Sequence, residues 1–103
     1  MIEGHLTKLD DDAMAGFICS PTFDFDVTLI PNQDKTEAKH PDYLIDTKSP
    51  KGRPVKLGAG WKRTSQARND YISIQITAYG QVMRANVLPT DEENEYRVVE
   101  WAQ

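Results

Sequence analysis

The sequence predicts an all-β protein: an antiparallel meander of seven or eight short strands, curled into a small barrel or a tight sandwich. Three observations carry that expectation. Apolar residues recur at every second position in several segments, the period of a half-buried strand. Helical spacing at i, i+3, i+4 and i+7 nowhere persists beyond about two turns. Turn-forming residues punctuate the chain, with six glycines and six prolines scattered singly. A chain of 103 residues suits one modest core, so residues 1–103 are read as a single β domain.

Residues 2–7 and "AGFICS" read as the first strands. In "FDFDVTLIP", Phe23, Phe25, Val27 and Leu29 share one face and Asp24, Asp26 and Thr28 the other, until Pro31 and "PNQD" stop the strand. "DYLID" follows. "VKLGAGWK" is expected to turn Val55, Leu57, Ala59 and Trp61 inward and Lys56, Gly58, Gly60 and Lys62 outward. Its glycines mark a bulge, a sharp bend or a close backbone approach.

"YISIQITAY" alternates most strictly, with Ile72, Ile74, Ile76 and Ala78 on the core face and Tyr71, Ser73, Gln75, Thr77 and Tyr79 opposite. A tight turn around Tyr79, Gly80 and Gln81 leads into "VMRANVL", then the acidic loop "PTDEEN" and a last strand "EYRVVEW". Trp61 and Trp101 are read as core residues, and the polar loops 31–41 and 64–70 as the mobile parts.

Charge is distributed unevenly. The net charge is −4, yet Lys48, Lys51, Arg53, Lys56, Lys62, Arg63 and Arg68 lie between Thr47 and Asn69 with no acid among them. The remainder holds five basic and sixteen acidic residues, a balance of −11. One positive region on a negative molecule is the expected result.

Several function classes find no support. Cys19 is the only cysteine, which excludes an intrachain disulfide and a multi-thiolate metal site and suits a packed thiol. The N-terminal "MIEGHLTKLDDD" lacks the apolar stretch of a signal peptide, and a cytoplasmic location is expected. His40-Pro41-Asp42 matches the tripeptide of J-domain co-chaperones, but that motif works in a helical hairpin and here precedes a strand. "GAGWK" lacks the longer glycine loop and the Gly-Lys-Ser/Thr helix start of a phosphate-binding loop. Asp24 with Asp26, and Asp10 to Asp12, have neither a partner histidine nor the spacing of a calcium loop, so they read as solvated. The two histidines lie 35 positions apart without a nucleophile in a recognised setting. The chain is therefore read as not an enzyme, with no cofactor and no metal.

"LIPN", "HPDYLI", "LGAGWKRTS", "RNDYISIQI", "RANVL" and "EYRVVEW", in that order, resemble the small bacterial family catalogued as domain of unknown function 736. The resemblance covers nearly the whole chain and is most specific from "GAGWK" to "YISI". "TAYGQ" and the terminal "WAQ" depart from the family's pattern. The resemblance implies a protein of bacterial plasmids or other mobile DNA, and supplies no catalytic residues.

Two functions are consistent with these features. One is a non-catalytic binding module that engages a protein partner, modulating a host or element-encoded defence or transfer protein; a free sheet edge or the charged surfaces would make the contact. The alternative is a small β-barrel that binds single-stranded nucleic acid through a basic hairpin and exposed tyrosines. Lys56, Lys62, Arg63 and Arg68 would then meet phosphates, and Tyr71 and Tyr79 would stack on bases. Internal pairing of the basic stretch with acidic loops such as "DEENE" is the structural explanation to set against both.

Overall fold

The computed structural model describes residues 1–101. Its strands are β1 (Glu3–Lys8), β2 (Met14–Ser20), β3 (Phe23–Pro31), β4 (Tyr43–Lys48), β5 (Pro54–Thr64), β6 (Asp70–Ala78), β7 (Gln81–Pro89) and β8 (Glu95–Glu100). Each pairs antiparallel with the next, and β1 pairs with β8 from Glu3 opposite Val99 to Thr7 opposite Glu95. Period-two alternation thus closes into an eight-stranded up-and-down barrel, the barrel alternative of the expectation.

Leu6, Ile18, Leu29, Ile45, Ile74 and Val87 come from six different strands and are wholly buried. At eight strands a barrel interior is just wide enough for side chains to fill, and these residues fill it. Ile2, Met14, Phe23, Val27, Tyr43, Leu57, Ile72, Ile76, Ala85 and Val98 complete the core. Asp24 and Asp26 alternate on the exposed side of β3, and Cys19 is half-buried in β2. Among the described residues, no helix is long and apolar enough to cross a membrane.

The facing of β5 differs from the simple alternation expected. Ile45 pairs with Gly58 but Asp46 pairs with Lys56, so Leu57 is an extra residue in β5. A bulge of this kind reverses the face of everything beyond it. Gly60, opposite inward-facing Ile74, is buried; Ala59 and Trp61, opposite Gln75 and Ser73, face outward and are half-buried. Val55 keeps the inward direction but lies at the rim, 46% exposed. A Cβ on Gly58 would overlap the Gln75 carbonyl oxygen, whereas one on Gly60 would approach methyl groups of Ile72 and Ile74. The glycines therefore serve both a bulge and close strand packing.

Neither tryptophan is a core residue. Trp61 donates its indole N–H to the Lys39 carbonyl, 3.1 Å, and so ties the 32–42 loop to β5. Trp101 is 41% exposed and packs on the outside of β7, its indole N–H donating to Asn86 Oδ1 at 2.9 Å and its ring 5.6 Å from the Arg84 guanidinium.

Up-and-down connectivity places alternate loops at alternate ends. Loops 9–13, 32–42, 65–69 and 90–94 lie at one end, called here the mouth. The 21–22, 49–53 and 79–80 connections lie at the other, with the start of β1 and the end of β8.

A candidate anion-binding mouth

β5 runs past the last β4 pair, Tyr43 with Gly60, and β6 begins before the first β7 pair, Ile72 with Val87. The hairpin tip from Trp61 to Tyr71 consequently overhangs the mouth. It carries Lys62, Arg63 and Arg68, with Arg63 directly opposite Tyr71. Beneath it lies an open basin of about 960 Å³. The floor is apolar, formed by Met14, Tyr43, Ile72 and Val87 at the top of the core. Lys62, Arg63, Arg68, Lys8 and Arg97 supply positive charge, Asp12 and Asp70 negative charge, and Tyr71 and Tyr96 two further rings.

Among the described residues, the cations of the hairpin form no ion pair. Lys8 pairs with Asp12 at 3.4 Å, and Asp70 accepts a 2.9 Å hydrogen bond from the Thr64 hydroxyl. Among the described residues, no carboxylate lies within ion-pair distance of any of the seven basic residues between Thr47 and Asn69. Glu95 of "DEENE" instead accepts from the His5 ring at 2.8 Å and the Thr7 hydroxyl at 3.1 Å, which hold its carboxyl below the ordinary value. Lys62 Nζ sits 5.8 Å from the Tyr43 ring centroid, within cation–π range. Burial, together with the nearby Asp12 carboxylate, raises the Tyr43 phenol above its usual 10.0, so it stays a neutral donor.

The turn of the hairpin departs from conformational preference. Ser65 N–H donates to Asn69 O, Arg68 N–H to Ser65 O and Asn69 N–H to Ser65 Oγ. The β4–β5 turn repeats these bonds with Ser49, Gly52 and Arg53. In both, the fourth residue is left-handed: Gly52 has φ +81° and Arg68 φ +63°. Glycine is the unstrained choice at this position of a three-residue hairpin loop. Arg68 holds a cation at the edge of the basin at a conformational cost of about 1 kcal/mol.

The six residues expected to form one binding surface divide into two groups. Lys62, Arg63, Arg68 and Tyr71 gather at the mouth, whereas Lys56 and Tyr79 belong to the opposite half of the barrel. β5 holds eleven residues, about 30 Å of strand, between the Lys48, Lys51 and Arg53 turn and the Lys62, Arg63 and Arg68 tip. Tyr79 is 76% exposed, and with Gly80 it makes a two-residue turn with φ +53° and +75°. Its ring stacks on Phe25 at 6.2 Å, and Phe25 on Phe23 at 5.1 Å, joining the β6–β7 turn to β3 at the closed end. Lys8, Arg97, Tyr43 and Tyr96 are basin residues that sequence reading did not single out; they lie on three other strands, β1, β4 and β8, and only the topology brings them together.

His40-Pro41-Asp42 has a structural role. Asp42 Oδ1 accepts from Lys35 Nζ at 2.7 Å and Oδ2 from the Lys62 backbone N–H at 2.8 Å. Burial pushes the Asp42 carboxyl up, but the bonds from Lys35 and the Lys62 amide outweigh it and leave it below its ordinary 3.8. Asn32 Nδ2 donates to the Pro41 carbonyl and closes the two ends of the loop on each other, while Lys39 and Asp42 fasten the C-terminal part of the loop expected to be mobile to β5.

The family model described as Protein of unknown function (DUF736) matches residues 3–103, essentially the whole chain. No curated protein and no solved structure shows significant similarity to it.

Proposed function

We propose that this chain, which belongs to the family Protein of unknown function (DUF736), is a non-catalytic binding module that takes single-stranded nucleic acid at the barrel mouth. The observation that carries this reading is the basin rimmed by Lys62, Arg63, Arg68 and Arg97, none of them ion-paired among the described residues, beside the rings of Tyr71 and Tyr96. Cations that meet phosphates next to rings that stack on bases are the usual means of binding an unpaired strand. The strained placement of Arg68 supports it further. An accessory role in a bacterial mobile element belongs to the same proposal.

Fluorescence anisotropy of labelled single-stranded DNA, single-stranded RNA and duplex DNA tests it at low and physiological salt. Single strands bind, duplex binds less well, and three or four phosphate contacts give a log–log salt slope of about −2 to −3. Lys62→Glu/Arg63→Glu abolishes binding while the far-UV spectrum and melting transition stay folded. No binding at low salt sinks the reading.

A protein partner is the second reading, favoured by the exposed acidic loops at Asp10–Asp12 and 91–93. Among the described residues, barrel closure leaves no full-length strand edge for augmentation, so this partner would meet the charged loops or the hairpin overhang. Retrieval of one protein by the wild type, lost in a charge-reversed acidic-loop variant, separates this reading from the first.

A further inference from the structure

The basin is blind. Its floor is the packed core, whose wholly buried side chains leave no passage along the barrel, and the Phe23, Phe25 and Tyr79 stack lies at the far end. A volume of about 960 Å³ lies at the upper limit of small-ligand pockets, roughly 300–1,000 Å³. That is room for a few nucleotides, the length of strand the basin itself can contact. The charge pattern sets the same limit. Five cations and two carboxylates, Asp12 and Asp70, line the basin, and Asp10, Asp11 and the 91–93 acids stand in loops at the same end of the barrel. Phosphates running outward past these loops meet repulsion, while those at the basin meet Lys62 over the floor and Arg63, Arg68 and Arg97 at the rim.

We propose, resting on the nucleic-acid reading above, that the mouth binds the phosphorylated end of a strand and not its interior. The terminal base enters over the floor of Met14, Tyr43, Ile72 and Val87 beside Tyr96, with Tyr71 on the rim next to Arg63. Its phosphate monoester sits against the hairpin cations. A monoester carries about −1.5 to −2 charges at neutral pH where an internal phosphodiester carries one, so the end offers this cluster its largest local charge. Free short nucleotides present the same chemistry.

Four probes of oligothymidine distinguish the cases, each competing with an internally labelled linear strand. They are a linear 5′-phosphorylated strand, its 3′-phosphorylated isomer, a covalently closed circle of the same length, and the 5′-phosphorylated dinucleotide. A preference of at least tenfold for one linear form over the circle is expected, with the dinucleotide competing within a few-fold of that linear form. Lys62→Glu/Arg63→Glu removes the preference. A dinucleotide as strong as the strand identifies free nucleotides as the source and supports the blind site. Equal binding of circle and linear forms, or affinity that climbs steadily with length, overturns the strand-end proposal and leaves single-strand binding standing. Failure of all four probes to compete removes both proposals.

Discussion

Arg68 and Gly52 occupy the same left-handed position in two hairpin turns with matching hydrogen bonds, at opposite ends of one strand. One turn uses the residue that its backbone favours; the other uses a cation that lines the basin.

Replacing Arg68 by glycine should therefore separate stability from binding. Relief of the left-handed backbone, reduced by the extra freedom glycine has when unfolded, raises stability by roughly 0.5–1 kcal/mol. Loss of the guanidinium lowers affinity for single-stranded DNA and makes the salt slope shallower by about one phosphate contact. Denaturant melts and anisotropy titrations measure the two effects; an Arg68→Gly protein that binds as the wild type does would remove Arg68 from the site.

Tyr71 and Tyr79, alike in the sequence pattern, should respond oppositely. Tyr71→Ala lowers single-strand affinity by about 1–3 kcal/mol, the usual worth of one stacked base, with little change in melting. Tyr79→Ala loses the Phe25 stack and about 0.5–1.5 kcal/mol of stability, with affinity unchanged. The same titrations and melts decide; a binding defect in Tyr79→Ala would move the site to the other end.

Gly58→Ala should destabilise more than Gly60→Ala. At Gly58 the new methyl meets the Gln75 carbonyl of the neighbouring strand, and only backbone movement can relieve it, at about 3 kcal/mol or more. At Gly60 the nearest atoms are side-chain methyls, Ile72 Cγ2 at 3.0 Å and Ile74 Cγ2 at 3.2 Å, which can shift. Equal denaturation midpoints for the two variants would contradict the bulge register.

Acid should loosen the molecule through Asp42 and Glu95. Both carboxyls titrate lower in the folded chain than their ordinary 3.8 and 4.5. Their contribution is complete above those values and is lost as pH falls through the lowered native ones. Asp42→Asn, which breaks the Lys35 ion pair, lowers stability at neutral pH and flattens the acid limb of the stability curve. Parallel acid limbs for variant and wild type would show that Asp42 contributes nothing to it.

Much of the architecture was legible because alternation is local. "FDFDVTLIP" and "YISIQITA" each declare a face without reference to the rest of the chain, and their core sides are as expected. The β5 face was not legible beyond Leu57, because a bulge depends on which residue of β4 lies opposite. Trp61 and Trp101 misled through size: large apolar rings suggest a core, yet each has an indole N–H with a partner on the outside of the barrel. Lys62, Arg63, Arg68 and Tyr71 lie together because they are neighbours in one hairpin. Lys56 and Tyr79 did not, although strand parity contains the reason. In an up-and-down meander the two turns flanking β5 must lie at opposite ends, which divides a basic stretch continuous in sequence.

Pairing of β1 with β8 makes the fold a ring in its connectivity, with the start of β1 and the end of β8 side by side at the end away from the basin. A circular permutant that joins the two ends there and reopens the chain within 49–53 would keep all eight strands and leave the mouth intact. Cargo fused or tethered at either described end would hang behind the barrel, so the molecule could be immobilised or doubled by a linker with both basins still facing solvent.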